Sequence, residues 1–261
     1  MMQNNNDEDF LVDASGHRHQ PHSGPARIVS LVPSLTELVC DLGLAGQLVG
    51  RTGFCIHPRA ILKTIPKVGG TKDVNLARLR ELAPTHVIVN VDENRRECVE
   101  EIAACVPHVI VTHPCTPEDN LPVYRLLGGI FGREAEAERL CADLAAALDD
   151  ARAVGASLPA EKVLYLIWRQ PWMTVARSTY ISAMLGAVGW QTVPEADEPR
   201  HDRLVGPDRD VDVEGTAHRR SDDARSERSI AAAGDGQPGV VVGGRANRQP
   251  QRQPEQVPRL V

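Results

Sequence analysis

A chain of 261 residues with 42% hydrophobic content is long enough to bury one large core or two smaller ones. No apolar run reaches the roughly 20 residues that a membrane-spanning helix requires, and a net charge of −6 argues against a general nucleic-acid binder, which would carry a basic face. Small molecules and proteins are the expected partners.

The first residues, MMQNNNDEDFLVDASGHRHQPHSG, are polar and acidic, with no basic region followed by an apolar one. They predict a disordered segment over 1–25 and, as written, a cytoplasmic chain. His17, His19 and His22 lie here, and imidazoles are common metal ligands. Their Pro/Gly-flanked setting offers no acidic or thiol partner at fixed spacing, which favours weak or no metal binding.

RIVSLV, residues 27–32, is a short β-rich run. Pro33-Ser34-Leu35-Thr36-Glu37 then opens an apolar stretch with helical spacing through Leu44, and Ser34 followed by Glu37 has a capping-box pattern. Residues 47–50 read as a second strand, 51–58 and 68–73 as loops, 76–82 as a helix and 86–91 as a buried strand. Asp92-Glu93-Asn94 reads as an N-cap region, followed by a helix through Cys105 and a strand over 108–112. Short continuous apolar strands alternating with helices predict a parallel sheet covered on both faces, an α/β lobe over 26–115.

Thr116-Pro117-Glu118-Asp119 places an N-cap, a proline at the first helical position and two acids together, which predicts a helix start. The stretch REAEAERLCADLAAALDDARAV is rich in strong helix formers, and some twenty residues of helix span roughly 30 Å. Residues 116–157 are therefore a helical segment whose long member can serve as a spine. Lys162–Ile167 is a strand and Thr179-Tyr180 begin another helix, so a second α/β lobe starts over 158–199. The expected fold class is α/β, two α/β lobes bridged by one long α-helix, with the second lobe incomplete.

After Trp190 there is no aromatic residue and after Lys162 no lysine, while Arg, Pro, Gly and Asp abound. Residues 200–261 show neither a helical nor an alternating apolar period and predict a disordered tail. Its composition is also what a GC-rich gene yields out of frame, so a frameshift near Arg200 is one reading and a regulatory tail the other. Six scattered cysteines without a CxxC pair fit reduced, mostly buried thiols.

Aromatic residues make up only 3% of the chain, yet all three tryptophans fall within WRQPWMTVARSTYISAMLGAVGW. Trp168 and Trp172 flank a proline-containing loop at a strand end, where α/β folds bind ligands, whereas Trp190 reads as core. No GxGxxG, Walker loop, nucleophile elbow or HExxH is present. Asp92, Glu93, Glu97 and Glu100 suit the positive end of a helix better than acid/base chemistry.

The ordered series SLVPSLTELVCDLGL, VGRTGFCIHP, VGGTKDVNLARLRELAPTHVIVN, a long helix and a strand leading to PWMTV resembles the substrate-binding proteins of ABC importers for cobalamin and ferric siderophores, the helical-backbone metal receptors. The likeness covers about 26–195. It implies a protein without catalysis or cofactor and with no metal of its own, which holds cobalamin or a ferric siderophore noncovalently in a cleft between two lobes, acts as a monomer in the periplasm and delivers to an ABC permease/ATPase complex.

Carried over residue by residue, Pro33, Ser34, Thr36 and Glu37 match the first strand-to-helix turn at the cleft mouth. Phe54 matches an aromatic that meets the ligand, Gly70, Thr71 and Lys72 the next pocket loop, and Trp172 the aromatic wall of the second lobe. The ligand-binding set is then Ser34, Arg51, Phe54, His57, Thr71, Lys72, Trp168 and Trp172, with Glu93 and Glu97 as permease-docking acids. Ser34 and Glu37 equally suit a helix cap, and Arg51, Lys72 and Arg177 equally suit solvated charges. The alternative to a receptor is a cytoplasmic α/β enzyme or corrinoid-handling protein that uses the same cleft.

Overall fold

A computed structural model describes residues 11–168, 172–195, 201–203 and 241–243. The chain divides into two compact units, Met1–Ala151 and Arg152–Val261.

The first unit is built on four parallel strands: β3 (Ile28–Ser30), β4 (Leu48–Arg51), β5 (His86–Asn90) and β6 (His108–Thr112), in the order β4-β3-β5-β6. The register aligns Ile28 with His86, and His86 with His108. Successive side chains in a strand point to opposite faces, and here both faces are covered. Ile28, Ile88 and Ile110 pack on one side with Leu35 and Val39 of α1 (Pro33–Asp41) and Leu127 and Ile130 of α5 (Asn120–Phe131). Val29, Val87 and Val89 pack on the other with Leu79 of α3 (Leu76–Glu81) and Ile102 of α4 (Arg96–Ala103). This two-sided burial is why the strands read as continuous apolar runs rather than alternating ones.

A short helix, α2 (Arg59–Leu62), follows the loop after β4. The outer margin of β4 is met by main-chain bonds from Arg51 N–H to Pro66 O and from Val68 N–H to Arg51 O.

Three helix starts differ from the sequence reading. At α1 the N-cap is Val32 and Pro33 holds the first position, so the Ser34 side chain makes no cap bond. The fixed φ of proline and its missing N–H suit that position without a side-chain acceptor. For α4 the N-cap is Arg95, because Asn94 turns inward to accept from Asn90 N–H and donate to Thr71 O. Thr116–Asp119 forms a closed turn, with Asp119 Oδ2 accepting from the N–H groups of Cys115 and Thr116, and α5 begins only at Asn120.

The expectation of disorder over 1–25 is corrected for residues 11–25. Strands β1 (Leu11–Val12) and β2 (Arg18–His19) form an antiparallel hairpin organised by the buried carboxylate of Asp13. That carboxylate accepts from Ser15 N–H, Ser15 O–H and His17 N–H on one oxygen, and on the other from Val111 N–H and His19 Nε2. Ala14 N–H donates to Val111 O, and Leu11 packs on Gly129, whose missing Cβ leaves it room. A segment with few apolar residues is thus ordered by one anionic hub, a long-range arrangement that local composition does not reveal.

Helix α6 (Glu134–Ala156) runs 23 residues, about 34 Å, and the division between the units falls inside it. It is the long helix expected from the Ala/Leu/Glu/Arg run. In the second unit β7 (Lys162–Trp168) pairs antiparallel with β8 (Met173–Val175) and parallel with β9 (Gln191–Thr192). Thr179 caps α7 (Tyr180–Ala187) by accepting from Ser182 N–H. Gly155 of α6 lies so close to Val188 that a Cβ there would stand 2.6 Å from its main chain.

Two further strands fall in the range expected to be disordered: β10 (His201–Arg203) pairs with β8 and β11 (Val241–Gly243) with β7. Elsewhere the expectation for 200–261, including the frameshift reading, lies outside the described residues. None of the six cysteines is in a disulfide; two are buried and four half-buried, and burial raises the thiols of Cys40, Cys98 and Cys141. Among the described residues no helix is long and apolar enough to cross a membrane.

Candidate functional site

All four parallel strands of the first unit's main sheet end on one side, at Ser30, Arg51, Asn90 and Thr112. The chain passes from β3 to β4 on one side of the sheet and then to β5 and β6 on the other, so connections diverge between β3 and β5. In open α/β sheets the crevice at such a reversal, beyond the carboxyl ends of the strands, is where ligands bind.

The loop after β4 is held from beneath by Arg51. This guanidinium is buried and donates to Leu62 O through Nε and Nη2 and to the carbonyls of Thr52 and Cys55 through Nη1. Thr52 Oγ1 lies 3.1 Å from the sulfur of the fully buried Cys55. With 51, 52 and 55 turned inward, Phe54 and Ile56 turn outward and are 61% and 59% exposed. Large apolar side chains held into water by a rigid loop suit a partner rather than the fold.

A second loop leans on the first. Gly53 N–H donates to Gly69 O, and the tight turn of Gly69–Asp73 closes through Gly70 N–H to Asp73 O. At Gly69, with φ +115°, a Cβ would stand 2.4 Å from Asp73 O, so only glycine fits. The Phe54 ring lies over Gly70. From the same turn Lys72 Nζ donates to Asp92 O at 2.9 Å and Thr71 O accepts from the buried Asn94. These bonds tie the loop after β5, with half-exposed Val91, to the Phe54 platform.

Beyond Asp92, its Oδ1 lies 3.5 Å from His113 Nε2, and Cys115 Sγ lies 3.5 Å from that same nitrogen. Burial raises the Asp119 carboxyl, but the N–H groups of Cys115 and Thr116 outweigh this and hold it below the ordinary range, which fixes the loop that carries Cys115.

The structure thus brings Phe54, Thr71 and Lys72 into one connected set of loops, with exposed His57 further along the first and exposed Ser34 in the first turn of α1 at the same end of the sheet. Arg51 is a correction: its position at the end of β4 buries it, and its donors are spent on main-chain carbonyls, so it shapes the loop and does not face a ligand. Glu93 and Glu97 are exposed, in the loop after β5 and the first turn of α4. In the second unit Trp168 and Trp172 are 54% and 41% exposed at the ends of β7 and β8, and Arg169–Pro171 between them lie outside the described residues. Trp190, expected in the core, is half-buried and lines a surface recess of about 300 Å³ with Arg177 and Gln191.

Sequence reasoning missed Ile56, Val91, Asp92 and His113 as members of this surface. Their shared signal is position: each lies within five residues of the carboxyl end of a parallel strand. An apolar platform edged by an ammonium, a carboxylate and an imidazole suits a flat, largely apolar molecule with a polar rim. Among the described residues no group of three or more His, Cys, Asp or Glu is placed to hold a metal ion.

Comparison with known proteins bears on this geometry. The sequence profile described as periplasmic binding protein matches residues 28–210. A vitamin B12-binding protein of Photorhabdus laumondii is 28% identical over 109 residues, 42% of this chain and 39% of the relative. One from Pectobacterium carotovorum is 23% identical over 171 residues, 65% of this chain and 62% of the relative. The chain therefore spans less than two thirds of the length of these curated relatives.

Among solved structures, the periplasmic vitamin B12 binding protein BtuF of Vibrio cholerae superposes with a TM-score of 0.63 at 20% identity, over 69% of this chain and 71% of that one. The periplasmic heme-binding protein RhuT from Roseiflexus sp. RS-1 gives 0.63 at 26% identity, over 70% and 71%. Both carry the mixed α/β, two-lobed architecture expected from the sequence. A profile match running from β3 to beyond β10, over well more than half of the chain, together with this shared fold, places the chain in the periplasmic binding protein family.

Proposed function

We propose that this chain is the substrate-binding component of an ABC importer and that it takes up cobalamin or a related flat metal chelate, haem included, without covalent attachment. The observation that carries this is the outward-held pair Phe54 and Ile56 at the carboxyl end of the first sheet, joined by Lys72 to the Val91–Asp92 loop. Such a surface offers apolar contact to a macrocycle face and polar groups to its side chains. Relatives named for vitamin B12 and heme binding support the same ligand class.

The family is one of solute-binding proteins and not of enzymes, so the alternative of a cytoplasmic enzyme gives way. Ser34, His57 and Thr71 are proposed contacts beside Phe54 and Lys72, and Trp168 and Trp172 are proposed contacts on the second unit. Glu93 and Glu97, exposed acids on the first unit, are proposed to meet basic residues of a permease. A periplasmic location goes with this role.

Equilibrium dialysis of the purified chain against cyanocobalamin, haemin and a ferric catecholate siderophore tests the reading, with tryptophan fluorescence recorded in parallel. Saturable binding of one ligand, weakened roughly tenfold by Phe54→Ala, is the expected result. Retention of none of the three at micromolar concentration sinks it. Binding without a fluorescence change removes Trp168 and Trp172 from the contact set.

A further inference from the structure

The amino ends of β5 and β6, opposite the candidate site, gather imidazoles. His86 and His108 open adjacent strands in register, and their rings stack with centroids 4.7 Å apart. His22, from the segment that follows the N-terminal hairpin, meets the His86 ring edge-on at 4.8 Å, and Phe131 of α5 closes the other side at 5.0 Å. His86 is 2% exposed, with Nδ1 2.8 Å from Thr85 Oγ1. The segment Gln20–Gly24 is held down by His22 itself, whose N–H donates to Ile130 O at 2.7 Å.

We propose that Gln20–Gly24 is an acid-released clasp, which lifts from the amino end of the sheet as the imidazoles beneath it take up protons, while Asp13 keeps the preceding hairpin in place.

The groups that act on His86 are all potential cations. Burial holds its imidazole down to about 3, and His108, His22 and His19 push in the same direction. His108 is lowered by burial and by His19, His22 and His17. Asp13, the carboxylate that meets His19, is committed to that ring and to Val111 N–H. A proton on His86 therefore finds no counter-charge in the closed form and finds water in the open one.

An ordinary histidine titrates near 6.5. Below that pH each unit of acidification favours the open form by about tenfold for the one imidazole freed. The Asp13 end behaves differently. Burial raises its carboxyl, but bonds from His19, Ser15 and Val111 outweigh this and keep it far below the ordinary range, so the hairpin stays anchored throughout the window in which the clasp opens.

Hydrogen exchange of the full chain, corrected for the intrinsic pH dependence of the chemistry, separates the two ends. The His22 amide is expected to lose about fivefold in protection between pH 6.5 and pH 5.5, whereas the Ala14 amide, bonded to Val111 O, keeps its protection. Equal loss at both amides would indicate unfolding of the whole unit and overturn the proposal, as would no loss at His22. His86→Phe and His86→Gln are each expected to flatten the His22 dependence, and a folded variant of either kind that keeps it also overturns the proposal. Should neither variant fold, NMR of labelled histidine in the wild-type chain decides: His86 neutral at pH 5.5 in the closed form supports the clasp, and a protonated closed His86 rejects it. None of these readouts involves a bound ligand, so they stand apart from the importer reading.

Discussion

The guanidinium of Arg51 donates to the carbonyl of Leu62 through both Nε and Nη2, and with Nη1 it also serves the carbonyls of Thr52 and Cys55. One buried cation thus spans the end of a strand, the loop after it and the end of α2. Arg51→Ala leaves three carbonyls without that donor, and at about 1–3 kcal/mol for each buried group left unsatisfied the cost should reach about 3 kcal/mol or more. Arg51→Lys should recover only part, because an ammonium cannot reproduce the planar fork. Urea midpoints of the two variants check this. An alanine variant within about 0.5 kcal/mol of wild type would show that the network contributes little.

Phe54 should behave in the opposite way. Its side chain is mostly exposed, so Phe54→Ala is expected to change stability by no more than about 0.5 kcal/mol while weakening ligand binding by about tenfold. A melting curve and a dialysis isotherm on one preparation give both values. Lost stability with unchanged affinity would return Phe54 to a purely structural role.

Acid sensitivity follows from two groups with different windows. The His86 imidazole is held down to about 3, below its unfolded value near 6.5, so its contribution is complete above about 6.5 and is lost as pH falls toward 3. The Asp13 carboxyl is also lowered, so its contribution is present above the ordinary carboxylate range and is lost only as pH falls through its own, lower folded value. Unfolding free energy should thus decline from pH 6.5 downward by at most about 1.4 kcal/mol per pH unit for His86, with the Asp13 contribution intact until below about pH 4. Denaturant midpoints from pH 7.5 to 4 in wild type and His86→Phe test it, since the variant should show a flatter profile.

Two glycines in helices make a paired test in the second unit. At Gly155 an added Cβ would stand 2.6 Å from the main chain of Val188, which cannot rotate away, so Gly155→Ala should cost about 1–3 kcal/mol. At Gly186 in α7 an added Cβ meets nothing within 4 Å, so Gly186→Ala should stabilise by about 0.5–1 kcal/mol. Thermal melts followed by circular dichroism should move in opposite directions.

The first unit was legible because its determinants are local. Val87, Ile88 and Val89 announce a strand buried on both faces, and the Ala/Leu/Glu/Arg run over 133–154 announces α6, whichever residues lie across from them. What escaped depends on partners far along the chain. Asp13 organises residues 11–19 only by meeting Val111, 98 positions away, and Asn94 leaves its capping role because Thr71 O is within reach. At the candidate site, Phe54 and Lys72 were singled out through family likeness and loop position, and the structure sets both in one connected group of loops. Arg51 was misplaced because an arginine at a strand end reads as a surface charge until its acceptors are known. His113 was overlooked because its partner Asp92 lies on a different loop.

The contact between the N-terminal hairpin and Val111 also covers part of a sheet edge. β6 is the last strand of its sheet, and Asp13 and Ala14 occupy the outward amide and carbonyl of Val111. A variant shortened to begin near Pro25 would offer that rim as a template for strands of neighbouring molecules. Light scattering should then report self-association in the trimmed chain at concentrations where the intact one stays dispersed, the outcome expected if the hairpin guards that edge against aggregation.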